Sequence, residues 1–353
     1  MGVYCKINLF KPSDGAYLPG SNVSGIIQYG VDEATVFDKI TVSLKGHGLL
    51  VIRESRSDDK GDDTYTNKEV YVDVDNVVEN GKKIPHDIGM YEARFDFKLP
   101  ENIPPSLNYS NGNVSYKIKC DIIYYVRIKF EMSGFLQFAK RFKKELTVLS
   151  KIKPTLATEP IIYGEQKSLF KPFTLKKNVV NLKANIKNSV IPIGGNIDVE
   201  YEVTNDTSII IKGVEIKLVE NHTFKGGKTV NMYKDVDSTD TKTGSIKSDE
   251  RENYDNVINV PSDVTSLGFS AIVSRNYLVR ITVELPFPHT NLVLDIPVEI
   301  GDLVDEIEVG KEAIQDEVVV DDALDYDNPP PSYWEVMGEM TKVDYISDKS
   351  GKS

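Results

Sequence analysis

Paired prolines and a tyrosine near the end of the chain have the residue types and the spacing of a peptide-recognition motif. The segment reads Asn328-Pro-Pro-Pro-Ser-Tyr-Trp-Glu335. Consecutive prolines favour the polyproline II conformation, which the free chain already populates, so docking into an aromatic groove costs little conformational entropy. A tyrosine two residues after the proline pair can fill a second pocket. We therefore interpret Pro330, Pro331 and Tyr333 as a ligand for a WW domain, with Ser332 facing solvent.

The sequence before this motif is strongly acidic. Between Asp302 and Asp327 there are eleven acidic residues and one basic residue, Lys311, whereas the charges of residues 1–300 nearly balance. Such a composition cannot bury enough apolar surface to offset chain entropy, so we predict a disordered tail. Two alternatives stay open here. The acidic residues either steer a basic partner or only keep the tail soluble, and the prolines either bind a partner or stiffen a linker.

A second group of residues combines positive charge with interleaved phenylalanines. Its cations are Arg127, Lys129, Lys140, Arg141, Lys143 and Lys144. One interpretation is contact with acidic lipid headgroups, or with phosphorylated or acidic cargo tails, at about 1 kcal/mol for each charge near a membrane surface. The other is an ordinary solvated strand face. Residues 140–146 do not alternate cleanly between polar and apolar, so the sequence does not decide between them.

No arrangement of residues in the sequence indicates catalysis or metal binding. Asp235–Asp240 resembles the start of a calcium loop, but the EF-hand pattern needs Gly and Glu where Asp240 and Ile246 stand. Gly46-His-Gly48 lacks the third glycine of a dinucleotide fingerprint. The histidines are scattered without the spacing of metal ligands. They are His47, His86, His222 and His289. We predict a protein that is not an enzyme and has no cofactor and no metal.

Charge and composition also restrict the partners and the compartment. The formal net charge of −12 argues against nucleic-acid binding, which needs a basic surface. The only cysteines, Cys5 and Cys120, form no disulfide framework or zinc motif. Lys6 stands where a myristoylation motif would need Ser or Thr. No secretory signal or membrane-spanning apolar run is recognisable, so we expect a soluble, cytoplasmic protein.

Strand signals dominate the first 300 residues. Segments rich in β-branched residues alternate with a period of two, and turn formers separate them at short intervals. The clearest strands are Ile40–Leu44, Val114–Cys120, Ile197–Val203, Val214–Leu218 and Tyr277–Val283. The turn formers are Pro19-Gly20, Asn80-Gly81, Asn111-Gly112, Gly194-Gly195 and Gly226-Gly227. This pattern predicts an all-β protein made of antiparallel β-sandwiches, without a helix before residue 300.

A faint internal duplication indicates two sandwiches of one topology, with chance resemblance as the alternative. Tyr17–Gly25 is similar to Ile191–Val199, and in both halves a proline precedes a tyrosine by 16 residues. Those pairs are Pro100 with Tyr116 and Pro261 with Tyr277. We predict a first sandwich over 1–152, an interdomain linker over 153–177, a second sandwich over 178–301 and an acidic tail over 302–353.

The order and spacing of these motifs resemble the arrestin family, in the version found in α-arrestins. The motifs are Phe10, Tyr17–Gly20, Val23–Gly25, Ile40–Gly46, Phe95–Pro100, Pro104–Ser106, Val114–Ile118, Val260-Pro261, Tyr277–Ile281 and Leu294–Gly301. There are departures from the family. Pro154–Lys177 lacks the cysteines common there in α-arrestins, Val51–Asn111 lacks the amphipathic helix of visual and β-arrestins, and no clathrin-box motif occurs in the tail.

The resemblance implies an adaptor. The sandwiches would hold a membrane receptor or transporter as cargo. The motif at Pro330–Tyr333 would recruit a HECT-type ubiquitin ligase through its WW domains, promoting ubiquitin-dependent endocytosis and sorting. The protein would then be recruited from the cytoplasm to the plasma membrane and endosomes. Two alternatives are a retromer-like coat or sorting-complex subunit, which has no need of the motif, and a signalling scaffold without a role in ubiquitylation.

Overall fold

The structure, a computed structural model, describes residues 2–13, 15–55, 61–132, 139–169 and 178–302. Every regular element in these ranges is a β-strand, and none is a helix. The first group of strands comprises β1 (Val3–Leu9), β2 (Asn22–Val31), β3 (Thr35–Glu54), β4 (Asp63–His86), β5 (Gly89–Lys98), β6 (Leu107–Gly112), β7 (Tyr116–Met132) and β8 (Ala139–Leu146). The second comprises β9 (Ile161–Ser168), β10 (Val179–Ile186), β11 (Val190–Ile191), β12 (Asn196–Asp206), β13 (Gly213–Lys225), β14 (Thr229–Asp235), β15 (Thr241–Lys242), β16 (Arg251–Asn259), β17 (Val273–Glu284) and β18 (Leu292–Ile300).

The first sandwich packs a three-stranded sheet, β1-β2-β5, against a five-stranded sheet. The larger sheet has the order β4-β3-β7-β6, and β8 pairs with the same edge of β7 farther along the strand. In β7 every second residue from Ile118 to Phe130 is buried, and the residues between them are partly or fully exposed. Successive side chains of a strand point to opposite faces, so this alternation places one face of β7 in the core.

The second sandwich repeats that strand order, which accounts for the internal duplication of the sequence. Strands β10-β12-β16 correspond to β1-β2-β5, with β9 added at the edge. Strands β14-β13-β17-β18 correspond to β4-β3-β7-β8. Even the parallel contact of Tyr17 with Val148 has a counterpart where Ile191 pairs with Ile300. The prediction of two antiparallel sandwiches of one topology is confirmed.

Two local expectations differ from the structure. The turn predicted at Asn80-Gly81 does not form. Strand β4 continues through these two residues to His86. Phe37 pairs with Ile84 and Lys39 with Asn80, so the glycine lies in an irregularity of the ladder and not in a reversal of the chain. The predicted linker 153–177 contains β9, which pairs with β10 and belongs to the second sandwich.

Buried apolar side chains of the two sandwiches pack against each other, and we call this contact the apolar joint. Phe224 and Ile272 of the second half are 0% and 1% exposed and belong to the same buried cluster as the first sandwich's core. At Gly226 an added Cβ would come within 3.1 Å of Leu50 Cδ2, so the β13–β14 turn sits directly on β3. This burial indicates that the two halves are held together by side-chain packing as well as by the connecting chain.

Polar contacts flank the apolar joint. The Lys228 ammonium donates to Glu54 Oε1 at 2.5 Å, which lowers the pKa of the Glu54 carboxyl and raises that of Lys228. The Glu69 carboxylate accepts from Ser270 Oγ and from the backbone N–H of Ala271, each at 2.9 Å. Both carboxylates lie on the first sandwich and all three donors on the second, so these bonds fix the orientation of one half against the other.

Candidate functional site

The structure divides the six predicted cations between two faces of the β7–β8 ladder. Arg127 lies opposite Lys143, and Lys129 lies opposite Arg141. These four share the face that points away from the core, because the residues between them on β7 are buried. The remaining cations lie on the other face. Lys144 is paired with Val126 and Lys140 with Phe130, and both partners are 0% exposed.

Carboxylates neutralise much of the charge on the outer face. Lys143 Nζ lies 2.7 Å from Glu145 Oε1, and Lys129 forms an ion pair with Glu131. Lys143 also lies 5.6 Å from the centroid of the Tyr125 ring. The outer face therefore groups four cations on two neighbouring cross-strand pairs, and Glu145 and Glu131 flank this group at its two ends. Exposed ion pairs of this kind are each worth about 0–1 kcal/mol.

Arg127 has a buried nitrogen, its Nε, without a hydrogen bond within the described ranges. One terminal nitrogen reaches Ser43 Oγ at the long distance of 3.5 Å. Buried donors are usually satisfied, so this guanidinium retains capacity for an additional acceptor.

Sequence reasoning missed the residues of the neighbouring strands that share this face. Lys45 on β3 donates to Asp75 Oδ1 at 2.6 Å and also pairs with Asp73. The hydrogen bond from Lys45 and then that from Ser43 hold the pKa of the Asp75 carboxyl below its usual value. The alternation within β3 was the available sequence signal for these residues. Which side chains lie beside Lys45 is known only once the register of β3 with β4 and β7 is known.

The predicted WW-domain ligand, Pro330, Pro331 and Tyr333, lies outside the described residues, which end at Asp302. The last described residue before it, Asp302, lies close to the first sandwich. The carbonyl of Asp302 accepts from the backbone N–H of Ile152 at 3.2 Å, so the tail begins beside the segment that joins the two sandwiches.

Comparison with known proteins agrees with the two-sandwich architecture. Residues 5–154 match the family described as arrestin (or S-antigen), N-terminal domain, and residues 176–303 match arrestin (or S-antigen), C-terminal domain. The chain belongs to the arrestin family. It is also similar to arrestin domain-containing protein 5 of Homo sapiens, with 21% identity over 316 residues, which cover 84% of this chain and 88% of that relative.

Neither arrestin match is to a catalytic family. Within the described ranges, no cluster of three or more His, Cys, Asp or Glu side chains could hold a metal ion. Nor does any helix there have the length and apolarity needed to cross a membrane.

If the outer face binds acidic lipid, the two adjacent lysines of β8 should differ in their effects. Lys143→Glu should weaken binding to vesicles containing anionic lipid, and the remaining binding should fall as salt rises, because exposed charges are screened over about 8–10 Å at 0.1–0.15 M. Lys144→Glu is the matched control, since Lys144 lies on the opposite face. Vesicle co-sedimentation measures both. Unchanged binding by Lys143→Glu, or equal losses in the two variants, would contradict a lipid-binding outer face.

Proposed function

We propose that this protein is an adaptor of the α-arrestin type. The two sandwiches bind a membrane receptor or transporter as cargo, and the Pro330–Tyr333 motif brings a WW-domain protein, a HECT-type ubiquitin ligase, to that cargo. The outcome is ubiquitin-dependent endocytosis and sorting. The protein is cytoplasmic until cargo recruits it to the plasma membrane or endosomes.

The observation that carries this proposal is the combination of an arrestin-domain pair with a PPxY motif on the same chain. Family membership supports an adaptor role without catalysis. The similarity to arrestin domain-containing protein 5 of Homo sapiens extends over both sandwiches and supports the same architecture. The motif supplies the only residues whose spacing fits a defined class of partner.

The two halves of the proposal make separable contributions. The sandwiches are held together by the apolar joint and by the Glu54–Lys228 and Glu69–Ser270 contacts, so they present cargo with one composite surface. The motif begins 28 positions after Asp302, the last described residue. Loss of the motif should therefore leave the cargo-binding surface intact.

Proximity labelling in cells tests both contributions at once. The full chain fused to a biotin ligase should label membrane receptors or transporters together with HECT-type ligases. The double variant Pro330→Ala, Pro331→Ala should keep the membrane proteins and lose the ligases, while Ser332→Ala should keep both. Labelling of coat or sorting-complex subunits that does not depend on the motif would replace the proposal with the coat-subunit alternative.

A further inference from the structure

A cavity of about 400 Å³ lies where the segment between the two sandwiches crosses the second one. One wall is the connecting segment, including Ile152 and Pro154, and the other is the loop before β17, including Leu267 and Phe269. Ile152 and Leu267 are buried, at 6% and 1% exposed, so the floor of the cavity is apolar. Its volume is within the range of small-ligand and peptide side-chain pockets.

The walls of the cavity are held in place before anything binds. Ser150 Oγ donates to the carbonyl of Ser266 at 2.8 Å, which ties the connecting segment to the loop. On the far side the Glu299 carboxylate accepts from the backbone N–H groups of Thr155 and Leu156, at 2.8 and 3.2 Å. The cavity therefore does not depend on an induced rearrangement of these two walls.

The backbone of Phe269, a residue that lines the cavity, is strained. Its φ is 59°, in the left-handed region that a bulky residue rarely adopts, and its side chain is 39% exposed at the rim. Strained backbone of this kind costs about 1–3 kcal/mol and is found preferentially at binding sites. An exposed aromatic ring beside an apolar floor would be covered by an occupant with apolar side chains.

The lining of the cavity carries a net positive charge, because two lysines stand against one carboxylate. Lys151 and Lys153 both line it, and within the described part of the chain neither forms an ion pair. Glu299, the acidic residue in the lining, is already satisfied by its bonds to Thr155 and Leu156. The site therefore fits an occupant that combines apolar side chains with carboxylates.

The chain itself delivers such an occupant to the rim. Asp302 is hydrogen-bonded to Ile152, and a Cβ on Gly301 would come within 2.8 Å of Ile152 Cγ2, so the next residues start against a cavity wall. Those residues are Leu303-Val-Asp-Glu-Ile-Glu-Val309, in which acidic and apolar side chains alternate from Glu306 onward. At about 3.3 Å per extended residue, seven residues reach roughly 23 Å, which is enough to cross the cavity.

We propose that Leu303–Val309 occupies this cavity in the same molecule, with its apolar side chains on the floor and its carboxylates facing Lys151 and Lys153. The contact pins the base of the tail to the joint between the sandwiches. It is separate from the WW-domain motif, which begins at Pro330, and stands whether or not that motif binds a ligase.

Disulfide trapping in the full chain tests the docking. Gly268 lies at the cavity and Gly244 lies elsewhere on the second sandwich. Both are exposed glycines at which a Cβ meets nothing within 4 Å, so each accepts cysteine. The double variant Gly268→Cys, Ile307→Cys should cross-link within the monomer at least about tenfold faster than Gly244→Cys, Ile307→Cys, because docking raises the effective concentration of the thiols. The native cysteines, Cys5 and Cys120, are buried and do not compete.

A charge exchange in the same trapping assay identifies the interaction. In the Gly268→Cys, Ile307→Cys background, Lys151→Glu with Lys153→Glu should slow cross-linking, and adding Glu306→Lys with Glu308→Lys should restore it. Equal rates for the Gly268 and Gly244 pairs would overturn the proposal. So would a disulfide-linked dimer as the main product, which would identify a second copy as the occupant, or a charge exchange that fails to restore the rate.

Discussion

Replacing Phe130 with alanine should lower the free energy of unfolding of the first sandwich by about 3–5 kcal/mol, the usual cost of deleting a buried phenylalanine ring. Phe130 is 0% exposed. Its ring centroid lies 5.0 Å from that of Tyr29, on the opposite sheet, and 5.3 Å from that of Phe37, on the neighbouring strand. Aromatic packing from both sheets would be lost, and the rigid strands around the ring could not close the cavity.

Urea unfolding followed by far-ultraviolet circular dichroism measures the Phe130→Ala loss. Tryptophan fluorescence is unsuitable because the only tryptophan, Trp334, lies in the tail, outside the described residues. Phe287→Ala is the matched control, since that ring is 93% exposed and its removal should change stability by no more than about 0.5 kcal/mol. Equal losses in the two variants would contradict the placement of Phe130 at the centre of the core.

The strands that the sequence predicts best are those with one buried face. In β12 and β17 buried and partly exposed residues alternate along most of the strand, as the period-two patterns of Ile197–Val203 and Tyr277–Val283 predict. The constant proline-to-tyrosine spacing also has a structural cause. Each proline follows the last strand of a smaller sheet, β5 or β16, and each tyrosine lies on the central strand β7 or β17 of a larger one.

Features that depend on strand register could not be read from the sequence. Asn80-Gly81 has the composition of a hairpin turn, but the ladder between β3 and β4 extends past it and absorbs the extra residues as an irregularity. The cross-strand neighbours of the six cations depend on register in the same way, since only the ladder shows that Arg127 lies opposite Lys143 and Lys129 opposite Arg141. Which charges meet is decided by pairing partners far away in sequence.

The joint between the sandwiches was also beyond sequence reasoning. Its contacts join residues more than 170 positions apart, such as Glu54 with Lys228 and Glu69 with Ser270. No local period or composition marks such residues. The cavity beside Ile152 arises in the same way, from a connecting segment and a loop that meet only after both sandwiches have formed.

A peptide covering Asp325–Glu335 should bind an isolated WW domain, and Tyr333→Ala should weaken that binding about thirtyfold. In the proposed complex the tyrosine fills its own pocket, and truncation of a central anchor typically costs about 2 kcal/mol or more, which corresponds to that factor in affinity. Pro331→Ala should cost a similar amount, because it removes an aromatic contact together with the preset φ of proline. Isothermal titration calorimetry of the peptides measures the three affinities.

Ser332→Ala is the matched control for the WW-domain ligand. In the proposed complex the residue between the prolines and the tyrosine faces solvent, so its removal should change little. Phosphorylation of Ser332 should weaken binding by adding negative charge beside the aromatic groove. In cells the Tyr333→Ala chain should still bind its cargo but fail to support cargo ubiquitylation, since the sandwiches do not depend on the tail motif. If the Tyr333→Ala peptide binds as tightly as the original, the adaptor proposal loses its residue-level support, and a coat or sorting-complex role becomes the better account of this arrestin fold.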